Sequence, residues 1–170
     1  VMSAPMPNRW KPNVTGAAIV ERAGHFLLVE EHTRDGLKLN NPAGHLDPGE
    51  SPQAACVREV LAEPAHDFTP TALVGVYLNR FTKTGTHDDL TYLRFAFTGD
   101  VGAHYAERAL DTGIVRAVWL TADELRACPE RHRSPLLLRS LEDYLGGQRF
   151  ALELVHTDLS VQRQIKNDSC

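Results

Sequence analysis

Apolar and polar positions in this chain alternate in short bursts rather than in one sustained rhythm. Val14–Val20 and Phe26–Glu31 are rich in aliphatic residues, and Ala23-Gly24 between them reads as a hairpin turn. Asp35-Gly36 marks a second turn, followed by the short segment Leu37–Asn40. Asn41-Pro42, Gly44 and Asp47-Pro48-Gly49 then force several backbone shapes in quick succession, which predicts a loop. Ser51-Pro52 starts a helix, with a capping hydroxyl and proline at the first helical position. It should run to about Glu63, where Pro64 stops it. Thr71–Phe81 and Leu90–Thr98 carry the strongest strand pattern, with Gly85 and Asp88-Asp89 in their connection, and Ile114–Leu120 is a further strand. Thr121 caps a short helix over Ala122–Ala127. Ser134-Pro135 opens another that runs to about Tyr144 and is closed by Gly146-Gly147. Strands and helices interleave without strict βα alternation, which predicts an α+β or mixed-sheet α/β sandwich rather than a Rossmann fold or a barrel.

Composition narrows the function classes. The 170 residues are 42% hydrophobic and 24% charged, enough for the core of one domain. Residues 1–12 hold three prolines and read as a flexible leader, 13–156 as a single domain, and 157–170 as a polar tail. The formal net charge of −4 opposes binding to duplex nucleic acid, which needs a basic surface, but not to a small phosphorylated substrate, which needs only local charge. No apolar run is long enough to span a membrane, and the leader lacks the apolar core of a signal peptide. Cys56, Cys128 and Cys170 form no CxxC pair, which points to a reducing cytoplasm and away from a zinc knuckle.

The chemistry concentrates on the helix after Ser51. Ala54, Val57 and Leu61 share one stripe, expected to pack on a sheet. Glu59 and Glu63 stack one turn apart on nearly the opposite side, where like charges repel unless a cation lies between them. A hard divalent metal is one such partner, and a solvated acidic face is the plainer alternative. Arg58 is placed to tie down Glu50 just before the helix.

The order Gly44, five residues, Glu50, seven residues, Arg58-Glu59-Val60 and then Glu63 resembles the Nudix box, G-x5-E-x7-R-E-U-x-E-E-x-G-U with U a bulky aliphatic residue. The longer string Leu39–Ser51 resembles one branch, the NudJ-like bacterial phosphatases of nucleoside di- and triphosphates and thiamine-precursor pyrophosphates. The likeness extends more softly from about Val14 to Tyr144. It implies a Nudix-type α/β/α sandwich with a mixed β-sheet. It further implies Mg²⁺- or Mn²⁺-dependent hydrolysis of a diphosphate linkage in a nucleoside di- or triphosphate or a small organic pyrophosphate. By position, Glu59, Glu63 and the Gly44 carbonyl would hold the metal, while Arg58 and Glu50 would orient the carboxylates around a catalytic Glu59. A cytoplasmic monomer or homodimer is expected, with neither a membrane nor a nucleic-acid duplex as partner.

Three defined positions depart from the pattern: Ala62 replaces the first glutamate of the pair, and Ala65 and His66 replace the glycine and its aliphatic neighbour, while the free position after Glu63 is Pro64. Pro64 is expected to push Glu63 toward extended geometry and misaim it. Either the enzyme works with fewer protein ligands or recruits one from His87, Asp88, Asp89 or Glu107, or the domain binds a phosphorylated ligand without turning it over. Arg80 and Arg94 are candidate phosphate clamps, with pairing to nearby acids as the alternative. Tyr77, Phe81 and Tyr92 are candidates for stacking on a ring or for the core, and His45 for the loop or a phosphate. Arg131-His132-Arg133 reads as a solvated connection.

Overall fold

A computed structural model describes residues 8–82, 85 and 89–162; His87, Asp88 and Cys170 lie outside them. In chain order the elements are β1 (Asn13–Ile19), β2 (Glu21–Arg22), β3 (His25–Thr33), β4 (Gly36–Asn40), β5 (Ala43–His45) and α1 (Pro52–Ala62). They continue with β6 (His66–Thr82), β7 (Asp89–His104), β8 (Ile114–Thr121), α2 (Ala122–Arg126), α3 (Leu136–Leu145) and α4 (Leu159–Gln162). One sheet runs β5-β1-β7-β6, with β1 and β7 parallel and its other pairs antiparallel. In the other sheet, β3 pairs with β2, β4 and β8, all antiparallel.

Strand alternation sorts the layers. Successive residues of β1 face opposite sides of the sheet. Ala18 joins Cys56 and Val60 of α1, Phe97 and Leu73 in one core cluster, whereas Ile19 joins Leu137 and Leu141 of α3, Phe26 and Leu39 in another. The result is the expected α/β/α sandwich with mixed strand pairing. Residues such as Leu27, Phe97 and Leu137 are fully buried, each stabilising the fold by about 1.5–3 kcal/mol.

Helix α1 starts as predicted: the Ser51 hydroxyl accepts from Ala54 N at 3.1 Å and Pro52 opens the first turn. Its buried face is a correction. Ala55, Cys56, Glu59 and Val60 are buried, while Ala54 is exposed and Val57 is 36% exposed. Close backbone packing sets this rotation, because a Cβ on Gly16 of β1 would lie only 3.1 Å from Pro52 O and 3.3 Å from Cys56 N. Helix and strand meet through that glycine, and the stripe one residue off the predicted one turns inward.

The strands β6 and β7 run beyond their predicted limits, paired from His66↔His104 to Thr82↔Asp89 with three register shifts. Pairing continues through Asp67, Thr69 and Asp100, where no apolar alternation announces it. Pro70 is tolerated because β6 is an edge strand. β5 forms inside the predicted loop by pairing with β1, and α4 forms inside the predicted tail.

Candidate active site

Arg58 is the hub of the loop and helix that precede the acidic pair. Its Nε and Nη2 fork onto Glu50 at 3.1 and 2.7 Å, Nη2 also donates to His45 O at 2.9 Å, and Nη1 donates to Glu59 Oε1 at 2.5 Å. The Asp47 N–H donates to Glu50 Oε1 at 2.7 Å, closing the loop on the same carboxylate. The Arg58 guanidinium beside Glu50 holds that carboxyl below its ordinary range.

Glu59 and Glu63 are 7% and 5% exposed, so they are not a solvated face. Their burial corrects the expected orientation of α1 and follows from the Gly16 contact. Glu63 also keeps helical geometry, with φ −90° and ψ −67°, despite Pro64. Two hydrogen bonds outweigh the steric bias of the proline: Glu63 N donates to Glu59 O at 2.9 Å, and Glu63 Oε1 accepts from Ala43 N at 3.2 Å. Burial pushes the Glu63 carboxyl up to about 9; the charges of Glu59 and Glu31 add to this, and the Ala43 N–H opposes it.

Gly44 has to be glycine here. A Cβ at that position would sit 2.1 Å from Glu59 Oε1, so the carboxylate occupies the space of the missing side chain. Two buried carboxylates, one driven toward its neutral form, are oxygen donors that fit a hard divalent cation. Among the described residues no group of three His, Cys, Asp or Glu side chains is arranged to hold a metal. Water and substrate oxygens would therefore complete the shell, as Mg²⁺ commonly allows.

The departures at 65 and 66 have local solutions. Ala65 adopts φ +59°, the left-handed region that favours glycine, and its carbonyl accepts from Tyr105 N at 2.8 Å. His66 is 4% exposed, and its Nδ1–H donates to Pro64 O at 2.8 Å. Its ring stacks on His104 with centroids 4.3 Å apart, and burial lowers its pKa. A neutral, stacked imidazole thus fills the aliphatic position.

Across β5 lies a pocket of about 240 Å³, lined in part by Thr15, Glu31, Asn79, Tyr92, Arg94 and Arg133. Alternation again decides who enters it. Asn79 and Phe81 face the cavity, so Arg80 between them faces the other way and forks onto Asp89 at 2.8 and 2.6 Å. Arg94 reaches the pocket and Arg80 does not. Arg94 is buried, and desolvation lowers its pKa to about 10. Tyr92 and Phe81 stack on each other with centroids 5.5 Å apart, and the ring of His45 lies 6.0 Å from Tyr92. Tyr77 belongs to the core and donates its hydroxyl to Asp143 at 2.8 Å. Of the proposed replacement ligands, Asp89 is engaged by Arg80, and Glu107 lies by a separate surface cleft with Leu61 and Tyr105. The carboxylate that the fold does bring toward Glu63 is Glu31. It was missed because it comes from β3, far from the box in sequence. Arg133, read as a solvated connection, is also a pocket residue.

A family model described as the NUDIX domain matches residues 10–140. The chain belongs to the Nudix family. This Nudix protein is 32% identical over 146 residues to phosphatase NudJ of Escherichia coli K12, covering 86% of this chain and 92% of that protein. A solved NUDIX hydrolase from Nitrosomonas europaea shares 48% identity with a TM-score of 0.80, over 87% of this chain and 98% of that one. A MutT NUDIX hydrolase from Burkholderia pseudomallei has a TM-score of 0.62 at 17% identity, over 79% and 98% of the two chains, and supports the fold. The chain is thus a Nudix hydrolase, of a family that generally uses a divalent metal and acts on small phosphorylated substrates. Among the described residues no helix is long and apolar enough to cross a membrane.

Proposed function

We propose that this Nudix hydrolase uses Mg²⁺, or Mn²⁺ in its place, to hydrolyse a diphosphate linkage in a nucleoside di- or triphosphate or a small organic pyrophosphate. The observation that carries this reading is the buried Glu59–Glu63 pair. It is held against side-chain-free Gly44 by Arg58 and Glu50 and adjoins a pocket with a buried arginine. Glu59, Glu63 and the Gly44 carbonyl would hold the ion, which when bound neutralises phosphoryl charge and polarises the phosphorus centre. Arg58 fixes one Glu59 oxygen and leaves the other for the ion or for the proton of the attacking water. Glu50 fixes Arg58, and Ala43 N–H fixes Glu63, so both carboxylates are aimed before substrate arrives. Arg94 would draw a phosphate into the pocket. The cytoplasm, with its phosphorylated metabolites and reduced thiols, is the compartment this chemistry suits.

Ala62 favours a second reading, a binding module whose site lacks one carboxylate. Phosphate and pyrophosphate release with Mg²⁺ or Mn²⁺ over a panel of nucleoside di- and triphosphates and hydroxymethylpyrimidine pyrophosphate separates the two. Metal-dependent release is expected, and Glu59→Gln should lower kcat/KM by about 10²–10⁴ with the fold intact. No release by the wild type, with release gained by Ala62→Glu, would establish the binding module instead.

A further inference from the structure

The pocket beside the acidic pair holds donors and positive charge that the protein itself leaves unused. Thr15 is 7% exposed and lines the cavity, and among the described residues its Oγ1 has no hydrogen-bond partner. Buried hydroxyls are nearly always paired, so an orphan on a residue that lines a cavity marks a place for a ligand atom. Arg94 sits beside Thr15 in the parallel register of β1 and β7. Its two Nη groups donate to Asn41 Oδ1 at 3.2 Å and Asn40 Oδ1 at 3.3 Å, both long, and among the described residues it makes no ion pair within 4.0 Å. Glu31 and Glu63 act on it by charge without an ion-pair contact, so a buried guanidinium hydrogen-bonded to neutral amides keeps capacity for an anion.

The opposite wall comes from the segment before α3. The Arg133 N–H donates to Leu39 O at 2.8 Å, and His132 bridges to Leu39, so the backbone is anchored to β4. Among the described residues the Arg133 side chain is held only by Glu31, at 3.4 Å, and it is 42% exposed. Ser134, just before the helix, and Leu136, the first residue of the ten-residue α3, complete that wall, where the helix end favours negative charge. The formal charges lining the pocket are therefore two guanidiniums against the single carboxylate of Glu31, although the chain as a whole carries −4.

We propose that Arg94, Arg133, Thr15 and the first turn of α3 form an anion subsite, separate from the acidic pair, that takes a phosphoryl group of the substrate other than the one attacked. This rests on the diphosphate-hydrolase reading for the origin of the phosphoryl group, though not for the capacity of the pocket to bind one. Arg133 exchanges its long contact with Glu31 for the incoming anion, while Thr15 and Arg94 meet the anion from the sheet.

The test is titration calorimetry of the full chain in EDTA with inorganic pyrophosphate, followed by steady-state kinetics with Mg²⁺. Without metal Glu59 and Glu63 offer an anion no cation to bind, so binding reports the proposed subsite. Wild type should bind with a Kd of about 1 mM or tighter at low salt. Arg133→Gln and Thr15→Val should each weaken binding about three- to tenfold, and Arg133→Lys should restore part of it. Neither variant should lower the ligand-free melting temperature, and Arg126→Gln, a change on α2, should bind as wild type. With Mg²⁺, Arg133→Gln should raise KM about tenfold and leave kcat within about twofold, the mark of lost binding rather than lost chemistry. Failure of metal-free wild type to bind pyrophosphate, or unaltered binding in both variants, would overturn the subsite. If release with Mg²⁺ still depends on Glu59 in that case, the hydrolase reading survives alone. Metal-free binding lost in Arg133→Gln, with no release from any substrate, supports the subsite and sinks the hydrolase.

Discussion

On one side of β5, Arg58 is surrounded by carboxylates; on the other, among the described residues, Arg94 hydrogen-bonds to amide oxygens alone. Arg58 contacts Glu50, Glu59 and Asp47, and its side chain is 37% exposed. Arg94 is buried, contacts Asn40 and Asn41, and faces a cavity. The same side chain thus does opposite work. A guanidinium saturated by carboxylates is a strut: its donors are spent on fixing the groups around it. A guanidinium hydrogen-bonded only to neutral acceptors carries a desolvation cost that the nearby charges of Glu31 and Glu63 repay only in part, and such a cost is relieved when an anion arrives. The acidic side of β5 is therefore arranged to hold a cation, and the pocket side to hold an anion. A metal-bound phosphate chain has both.

The strongest way to break this contrast is to remove the strut. Arg58→Ala leaves Glu50 and Glu59 without their common partner, and metal-dependent release should fall about 10- to 100-fold. Arg58→Lys should recover little, because a lysine cannot fork onto Glu50 while reaching Glu59 and the His45 carbonyl. Full activity in Arg58→Lys, measured by the same release assay, would mean that charge alone matters there.

The next test uses pH. Glu63 has its carboxyl raised to about 9 from an ordinary 4.5, chiefly by burial, so between those values the folded chain holds a proton that the unfolded chain has released. Its contribution to stability is complete below about pH 4.5 and is lost as pH climbs toward 9. Metal-free protein should melt at a lower temperature at pH 8.5 than at pH 6, with Glu63→Gln flattening that slope by about 1–3 kcal/mol. Mg²⁺ should reverse the trend, because a cation favours the ionised pair. A slope unchanged in Glu63→Gln would place the titration elsewhere.

The smallest effect sharpens the account of the box itself. Ala65 holds φ +59° where the family pattern has glycine. Ala65→Gly should relieve left-handed strain and, after the added freedom of the unfolded chain, stabilise by about 0.5–1 kcal/mol. That corresponds to about 1–4 °C in melting temperature. Activity should be unaffected, since the strain lies after the helix that carries the carboxylates. A lower melting temperature would show that the turn prefers the alanine methyl.

The sequence by itself determined the local pieces: the Ser51 cap and Pro52 start of α1, the Pro64 stop, the turns at Ala23-Gly24 and Asp35-Gly36, and the spacing of Gly44, Glu50, Arg58, Glu59 and Glu63. These are set by backbone chemistry within a few residues, so they can be read in one dimension. Which face of α1 turns inward was not legible, because it depends on how closely Gly16 lets the helix approach a strand distant in sequence. The pairing of β5 with β1 and the polar extensions of β6 and β7 were hidden for the same reason: strand pairing is non-local and need not follow an apolar alternation. The tertiary structure also decided the pocket. Thr15 of β1, Glu31 of β3, Arg94 of β7 and Arg133 before α3 share no spacing in the chain. Sheet register and the two-residue period of strands bring them together, and the same period turns Arg80 away.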